Sequence, residues 1–500
     1  MQNLIPIGDK KWPVGYYDKV TPDMIPDGYC ANAQNCFFDE GTIEEAGGYS
    51  MIANDTGEGK PNLGFHAHQT STHNQLLKIN NNLGGTAANL FYWNGSGNWV
   101  KVISLTFTAG IPCSMVTAQG KTYIANGIDD TKSWDGATLS NVTSIPKTRY
   151  LVWFHNFLWA LHSTVNKSRA YFSNNGAPET FTSGDEIDIA PDDSDFIIGA
   201  TTFKDELIVG KRYRTYSFQG WTEASFTVMS VNERLSSFGL TSNDGYVGIG
   251  NDLIFPSFSG DIPQMRSLTR TRFSDTEYGG IITDDILGTM KTVSKGELDN
   301  ISTIFDGRRV WVFLPVNAST YNNLAITYDT VTKGFSKHTG YYIARAVIST
   351  VQGFERVYLA DSRNGKVYVK DNGNTHAGNA IDMVFESRVY KPDFKHLFKY
   401  KYLYIGWLAG SAGTLYVYTA VDDFPYELQE TINLAILNNA FTYTFPFSLN
   451  TSPQKYLRIN LPYQTHQTAQ VKFKKNDTTA LAKITDYEFM AYRKALRAYY

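Results

Sequence analysis

TYIANGIDDTKSWDGATL, residues 122–139, holds an acidic cluster, a Trp-Asp dipeptide and two turn pairs. A calcium loop of the EF-hand type needs oxygen ligands at alternating positions, a Gly between them and a distal Glu. Asp129, Asp130, Thr131 and Lys132 do not supply that order. Trp134-Asp135 matches the dipeptide of WD repeats but lacks their upstream Gly-His. The Ser-x-Asp-x-Gly-x-Thr-Trp order of a sialidase Asp-box is missing as well. Asn126-Gly127 and Asp135-Gly136 are strong turn signals, so the stretch reads as a short strand between two hairpin turns.

The pattern recurs. An apolar strand, a polar loop and a second strand ending in an aromatic before a small polar turn return in LFYWNGSGNW, TKSWDGATL, SRAYFSNNGAPETF, YRTYSFQGWTEASF, LIFPSFSGDIPQ, LAITYDTVTKGFS and GKVYVKDNGN. Aligned on Trp93, Trp134, Phe172, Phe218, Phe258, Tyr328 and Val369, the copies follow one another at about 40 residues, with one longer gap after Phe258. That period suits a four-stranded propeller blade, which cannot bury both faces alone and must stack in a closed array. The alternative is a set of unrelated hairpins sharing turn chemistry. After Gly378 the period ends, and VFESRVY, YKYLYIGW, TLYVYTAV, FTYTFPF, YLRINLPY and VKFKKND alternate with turn residues, as in an antiparallel sandwich. The expectation is an all-β chain: an N-terminal arm or small β element over 1–50, a β-propeller of about six or seven blades over 51–377, and a C-terminal β-sandwich and tail over 378–500.

Composition supports sheet, with 32 Tyr and 30 Phe among 500 residues. A formal net charge of -3 argues against a general nucleic-acid binder. Three cysteines, Cys30, Cys36 and Cys113, make no disulfide framework and fit synthesis in a reducing compartment. The N-terminus lacks a signal-peptide apolar region, and no apolar run reaches the roughly 18 residues of a membrane span. The expectation is therefore of no membrane segment.

In FHAHQTSTH, His66 and His68 share a strand face and His73 follows a turn, which makes the three imidazoles a metal candidate; exposed polar histidines explain them equally. GDEIDIAPDDSD offers Asp192, Asp193 and Asp195 to a cation, or simply forms a solvated loop. Lys391, Lys395, Lys399 and Lys401 form a basic cluster suited to DNA or a neighbouring subunit. The aromatic-basic end YRKALRAYY would anchor a neighbour or complete a packed strand. Nucleophile elbow, zinc-protease and phosphate-loop motifs are missing, so neither catalysis nor a cofactor is expected.

Three passages resemble a known family. FIIGATTFKDELIVGKRYRTYSFQG (196–220), SSFGLTSNDGYVGIGNDLIFPSFSGDIPQM (236–265) and DGYCANAQNCFFDEGTIEEAGGYSMI (27–52) are similar to β-propeller proteins of short-tailed phages: the tail nozzle, tail hub and packaged-DNA stabilisation proteins. The resemblance implies a virion structural protein, assembled in the bacterial host cytoplasm and placed in the virion tail. It further implies a ring, commonly hexameric, below the portal and adaptor, in transient contact with double-stranded DNA that it retains and conducts during ejection. Asn35, Asp39, Gly41 and Gly47 would be its N-terminal docking motif. The rival expectation is a carbohydrate-binding or glycoside-cleaving propeller, with Trp93, Trp99 and Trp221 stacking on sugars.

Overall fold

The computed structural model describes residues 4–9, 11–39, 41–53, 61–219, 230–235, 238–259, 261–272, 280–392, 396–408, 410–435, 454–463 and 465–495. They form an all-β architecture of sheets with three to nine strands. Among the described residues the strands pair antiparallel apart from a parallel register between Asn32–Gln34 and Phe335–Thr339, and isolated parallel bridges join Tyr16 to Cys30 and Tyr49 to His376. Helix among the described residues is confined to short pieces such as Leu268–Arg272 and Leu287–Met290.

The 122–139 stretch is a strand between two turns. Lys121–Ala125 pairs with Thr131–Trp134, which pairs with Leu139–Val142. Gly127 and Gly136 take φ of +80° and +104°, a region closed to side chains with a Cβ. Asn126 Oδ1 accepts from the amides of Ile128 and Asp129, and Asp135 Oδ1 from those of Ala137 and Thr138. Side chains thus satisfy the turn amides locally, and the acidic residues act as turn formers.

Seven sheets follow in chain order. The first strand of each is Asn62–Gln69, Ser114–Ala118, Thr148–Phe154, Ile197–Phe203, Val247–Ile249, Ser302–Phe305 and Ile343–Ser349. Five aromatic anchors, Trp93, Trp134, Phe172, Phe218 and Tyr328, and the aliphatic anchor Val369 fall on the third strand of six of these sheets. Phe258 instead lies in the middle strand of the three-stranded fifth sheet, Val247–Ile249, Asp252–Ser259 and Ile262–Ser267. Among the described residues beyond that sheet, the helical pieces Leu268–Arg272, Thr283–Ile286, Leu287–Met290 and Lys295–Asn300 precede the next strand, in keeping with the longer gap. First strands contact their successors in order, through Asn243–Gly245 at the fifth sheet, and Ile343–Ser349 contacts Asn62–Gln69. Separate apolar cores lie between neighbours: Leu77, Ile124 and Trp134 between the first two sheets, Phe65, Trp93 and Tyr358 between the seventh and the first.

The N-terminal segment is woven through the rest. Tyr49–Met51 pairs with Val367–Lys370 as the fourth strand of the seventh sheet. Asn32–Gln34 bridges Phe335–Thr339 and Ile381–Glu386, so the sixth sheet runs on through Ala469–Asp477 and Thr414–Val421 to nine strands. The facing sheet holds Cys36–Asp39, Thr42–Glu45, Lys483–Ala495, His396–Leu408 and Gln454–Asn460, with Leu4–Ile7 added on Lys483–Ala495. Tyr400, Leu403 and Phe489 from this sheet meet Phe385, Val417 and Phe473 from the nine-stranded one in a common core.

Candidate functional site

Six of the first strands and the Asn243–Gly245 turn line a cavity of about 340 Å³, within the usual range for small-molecule sites. His66, Met115, Trp153, Thr201, Thr303 and Arg345 come from the six strands, and Asn243 and Asp244 from the turn before the fifth sheet. That turn sits close against the fourth sheet. A Cβ at Gly199 would stand 2.5 Å from Asn243 Oδ1 and 2.7 Å from Asn243 Cα, so only Gly fits.

Arg345 is the central cation. Its Nε lies 2.6 Å from Asp244 Oδ2, and an Nη1–H is donated to the carbonyl of Cys113. Beside it, Arg149 and Arg212 each stand 3.5 Å from the Asp299 carboxylate. Asp244, Asp299 and Arg345 also line a groove of about 490 Å³ with Glu297, Asn300, Tyr321, Asn322 and Arg363. Its walls are tied by amides: Asn322 Nδ2 donates to the Asn300 and Ile343 carbonyls, and Asn62 Nδ2 to the Asp361 carbonyl. Tyr321 is 37% exposed at the rim, 6.1 Å from the Tyr342 ring, over which the Arg363 guanidinium stacks at 3.4 Å. Cavity and groove together offer planar cations, carboxylates, amides and an accessible aromatic ring. Such a surface recognises a ligand bearing many hydroxyls.

Sequence reasoning missed these residues, which come from separate connections and share no local pattern. The residues it singled out lie elsewhere, apart from His66. His66 Nε2 shares a hydrogen bond with Thr117 Oγ1 at 2.8 Å, Thr117 Oγ1 one with Thr122 Oγ1, and Thr122 Oγ1 one with His68 Nδ1 at 2.8 Å. His73 Nδ1 meets Thr72 Oγ1. Hydroxyls thus occupy one nitrogen of each ring, and among the described residues no three His, Cys, Asp or Glu side chains could hold a metal ion. Asn35 is buried at φ +51° and holds Thr339 and the Asp382 carbonyl. Asp39 accepts from Arg308, Gly41 makes the hairpin turn at φ +78°, and Gly47 packs on Asp371. Lys391, Lys399 and Lys401 are partly buried, and the Lys401 ammonium lies over the Tyr402 ring; Lys395 is outside the described residues.

Two further readings are corrected. Asp193 is not a solvated loop residue: its carboxylate lies 2.7 Å from Nζ of Lys211, whose side chain is fully buried. Trp93 and Trp99 are not exposed sugar platforms but are buried, with ring centroids 6.2 Å apart. An aromatic at a strand end serves a core or a rim, and residue type alone does not separate the two. Trp221 lies outside the described residues.

Burial pushes His66 and His68 down to about 4, helped at His66 by repulsion from His68 and Arg345 and at His68 by repulsion from His73; burial alone takes His376 to about 4. The unfolded chain, with ordinary values near 6.5, takes up protons first as pH falls. Stability is therefore full above pH 6.5 and declines towards pH 4, by on the order of 1–3 kcal/mol per buried ring. Thermal melts at pH 7, 5.5 and 4.5 should show that decline, and it should be shallower in the His66→Gln/His68→Gln variant. Equal slopes in both proteins would contradict it.

No family model matches the chain, and no curated protein matches it. Among solved structures it is similar to the WD40 domain of Pan2 from Neurospora crassa, with 9% identity, a TM-score of 0.38 and coverage of 67% of this chain and 97% of that one. BamB from Moraxella catarrhalis gives 10%, 0.38, 68% and 94%. An exo-β-1,3-galactanase from Phanerochaete chrysosporium gives 7%, 0.27, 90% and 100%. At these values the likeness carries no argument about activity. None of these structures is a phage tail protein, and with no family model matching, the resemblance of 27–52, 196–220 and 236–265 to the tail-nozzle family does not hold. Those passages share alternating apolar strands and Gly-rich turns, which any sheet protein uses. The tail-nozzle or hub function, with its retention and ejection of DNA, is set aside with it.

Proposed function

We propose that this is a carbohydrate-binding protein whose site is the cavity and groove where six first strands meet the Asn243–Gly245 turn. The observation that carries the reading is the convergence of Arg345, Asp244, Asp299, Asn300 and Tyr321 on one open space of ligand size. Planar charged and amide groups match pairs of neighbouring sugar hydroxyls, and an exposed ring covers the apolar face of a sugar. The fold behind it is a closed seven-bladed propeller, its last blade completed by Tyr49–Met51, with a β-sandwich built on the nine-stranded sheet. Support comes from the ring of first-strand contacts and the cores between neighbouring sheets. We read the site as binding without catalysis: hydrolysis of a glycoside needs one carboxyl to give up a proton, whereas Asp244 and Asp299 both face arginines and Glu297 accepts a hydrogen bond from Asn300 Nδ2.

A panel of neutral oligosaccharides presented to the full chain tests this. At least one should bind, and Tyr321→Ala or Asp299→Asn should weaken it about tenfold, as expected for losing one stacking or charged contact. No binding across the panel would overturn the proposal. Release of reducing ends that Asp299→Asn abolishes would overturn its non-catalytic part.

A further inference from the structure

At the other end of strand Ile343–Ser349 lies a second groove of about 490 Å³, formed by the turns of the sixth and seventh sheets. Its cations are unequal. Arg308 is held by Asp39 and Asp329, at 2.9 and 2.8 Å. Arg309 lies 3.3 Å from Asp329, and Lys370 lies 3.1 Å from Asp306 and also meets Asp371. Arg356 has no carboxylate within ion-pair distance among the described residues. Its contacts are Gln352 Oε1 at 3.5 Å and the face of Phe354, 4.0 Å from the guanidinium carbon. Phe354 is 53% exposed and Ile348 36% exposed.

With its carbon held over the face of Phe354, the Arg356 guanidinium keeps N–H groups available to grip a carboxylate, which it can do with two parallel hydrogen bonds. Beside it stand an apolar surface and the acceptors Glu355 and Asp371. A simple anion would gain from Arg356 and be repelled by those two carboxylates. A ligand carrying a carboxylate on a hydroxylated ring uses all three features: the acid on Arg356, hydroxyl donors on Glu355 and Asp371, and its apolar face on Phe354. We infer that this groove is a binding site for a carboxylated sugar, a uronic-acid unit of a glycan. The inference does not depend on the central cavity binding anything.

Calorimetric titration of the full chain with oligogalacturonate tests it, with neutral galacto-oligosaccharide and hexaglutamate as comparison probes. Binding of oligogalacturonate should weaken at least about tenfold in Arg356→Gln, the loss expected for a charged hydrogen-bonded pair, and also in Phe354→Ala. Both positions lie at the surface, and unchanged melting temperatures will show that the variants fold. The same losses should appear when Arg356→Gln and Phe354→Ala are made in a Tyr321→Ala background, where the central groove lacks its ring, which separates failure here from failure there. No binding, or equal binding by Arg356→Gln, overturns the inference. Hexaglutamate binding as tightly as oligogalacturonate overturns the sugar assignment and makes the groove a site for acidic peptides.

Discussion

Trp134→Ala should lower stability by about 3–5 kcal/mol, the range for truncating a large buried aromatic. Trp134 is fully buried between the first two sheets, its ring 5.3 Å from Tyr92 and packed among Leu77, Leu90 and Ile124. The loss has two parts. Removing the indole leaves a cavity that strand backbones cannot close without breaking their ladders, and it removes the Nε1–H donated to Gln75 Oε1 at 2.9 Å. Gln75 cannot turn away to water, because it is buried and its Nε2–H group is donated to the Gly136 carbonyl. Its oxygen is then left without a partner, at roughly 1–3 kcal/mol. Trp134→Phe keeps much of the volume and should cost about 1–2 kcal/mol, mainly the orphaned amide. Urea denaturation of the three proteins measures both steps. A Trp134→Ala loss below about 1 kcal/mol would mean that the two sheets do not rely on this contact.

What was legible in the sequence is what local chemistry decides. Asn126-Gly127 and Asp135-Gly136 mark turns because few other pairs tolerate those dihedrals, and the aromatic anchors recur because a third strand must pack against its neighbour. The pairing of Tyr49–Met51 with Val367–Lys370 was not legible, since nothing in either segment names a partner some three hundred residues away. Nor was the candidate site: Asp244, Asp299 and Tyr321 lie on separate connections and Arg345 on a strand, and an isolated Asp or Arg looks the same in sequence whether it lines a cavity or meets solvent. The histidines misled in the opposite sense, because same-face spacing on a strand is shared by metal ligands and by rings that bond neighbouring hydroxyls.

Lys475→Met should be the most damaging single charge removal, at about 3–5 kcal/mol. Lys475 and Glu45 have no exposed side-chain surface, and Nζ lies 3.0 Å from Oε2. The pair joins Thr42–Glu45 in one sheet to Ala469–Asp477 in the facing one. Burial pushes the Glu45 carboxyl upward, and Lys475 is the largest influence opposing that rise. Without the lysine, the folded chain must hold an uncompensated carboxylate at pH 7.5 or bind a proton there, and either costs stability. The folded variant then binds more protons than its unfolded chain, so its deficit should shrink as pH falls towards the ordinary carboxylate value of 4.5. Glu45→Leu/Lys475→Met should recover most of the loss, since two apolar side chains need no mutual charge. Three residues beyond Glu45 the chain enters the segment that completes the seventh sheet. Loosening Glu45 should therefore speed hydrogen exchange at Tyr49–Met51 in Lys475→Met and restore protection in the double variant. A double variant as unstable as the single one would show that the pair is valued for its charges and not for the packing it allows.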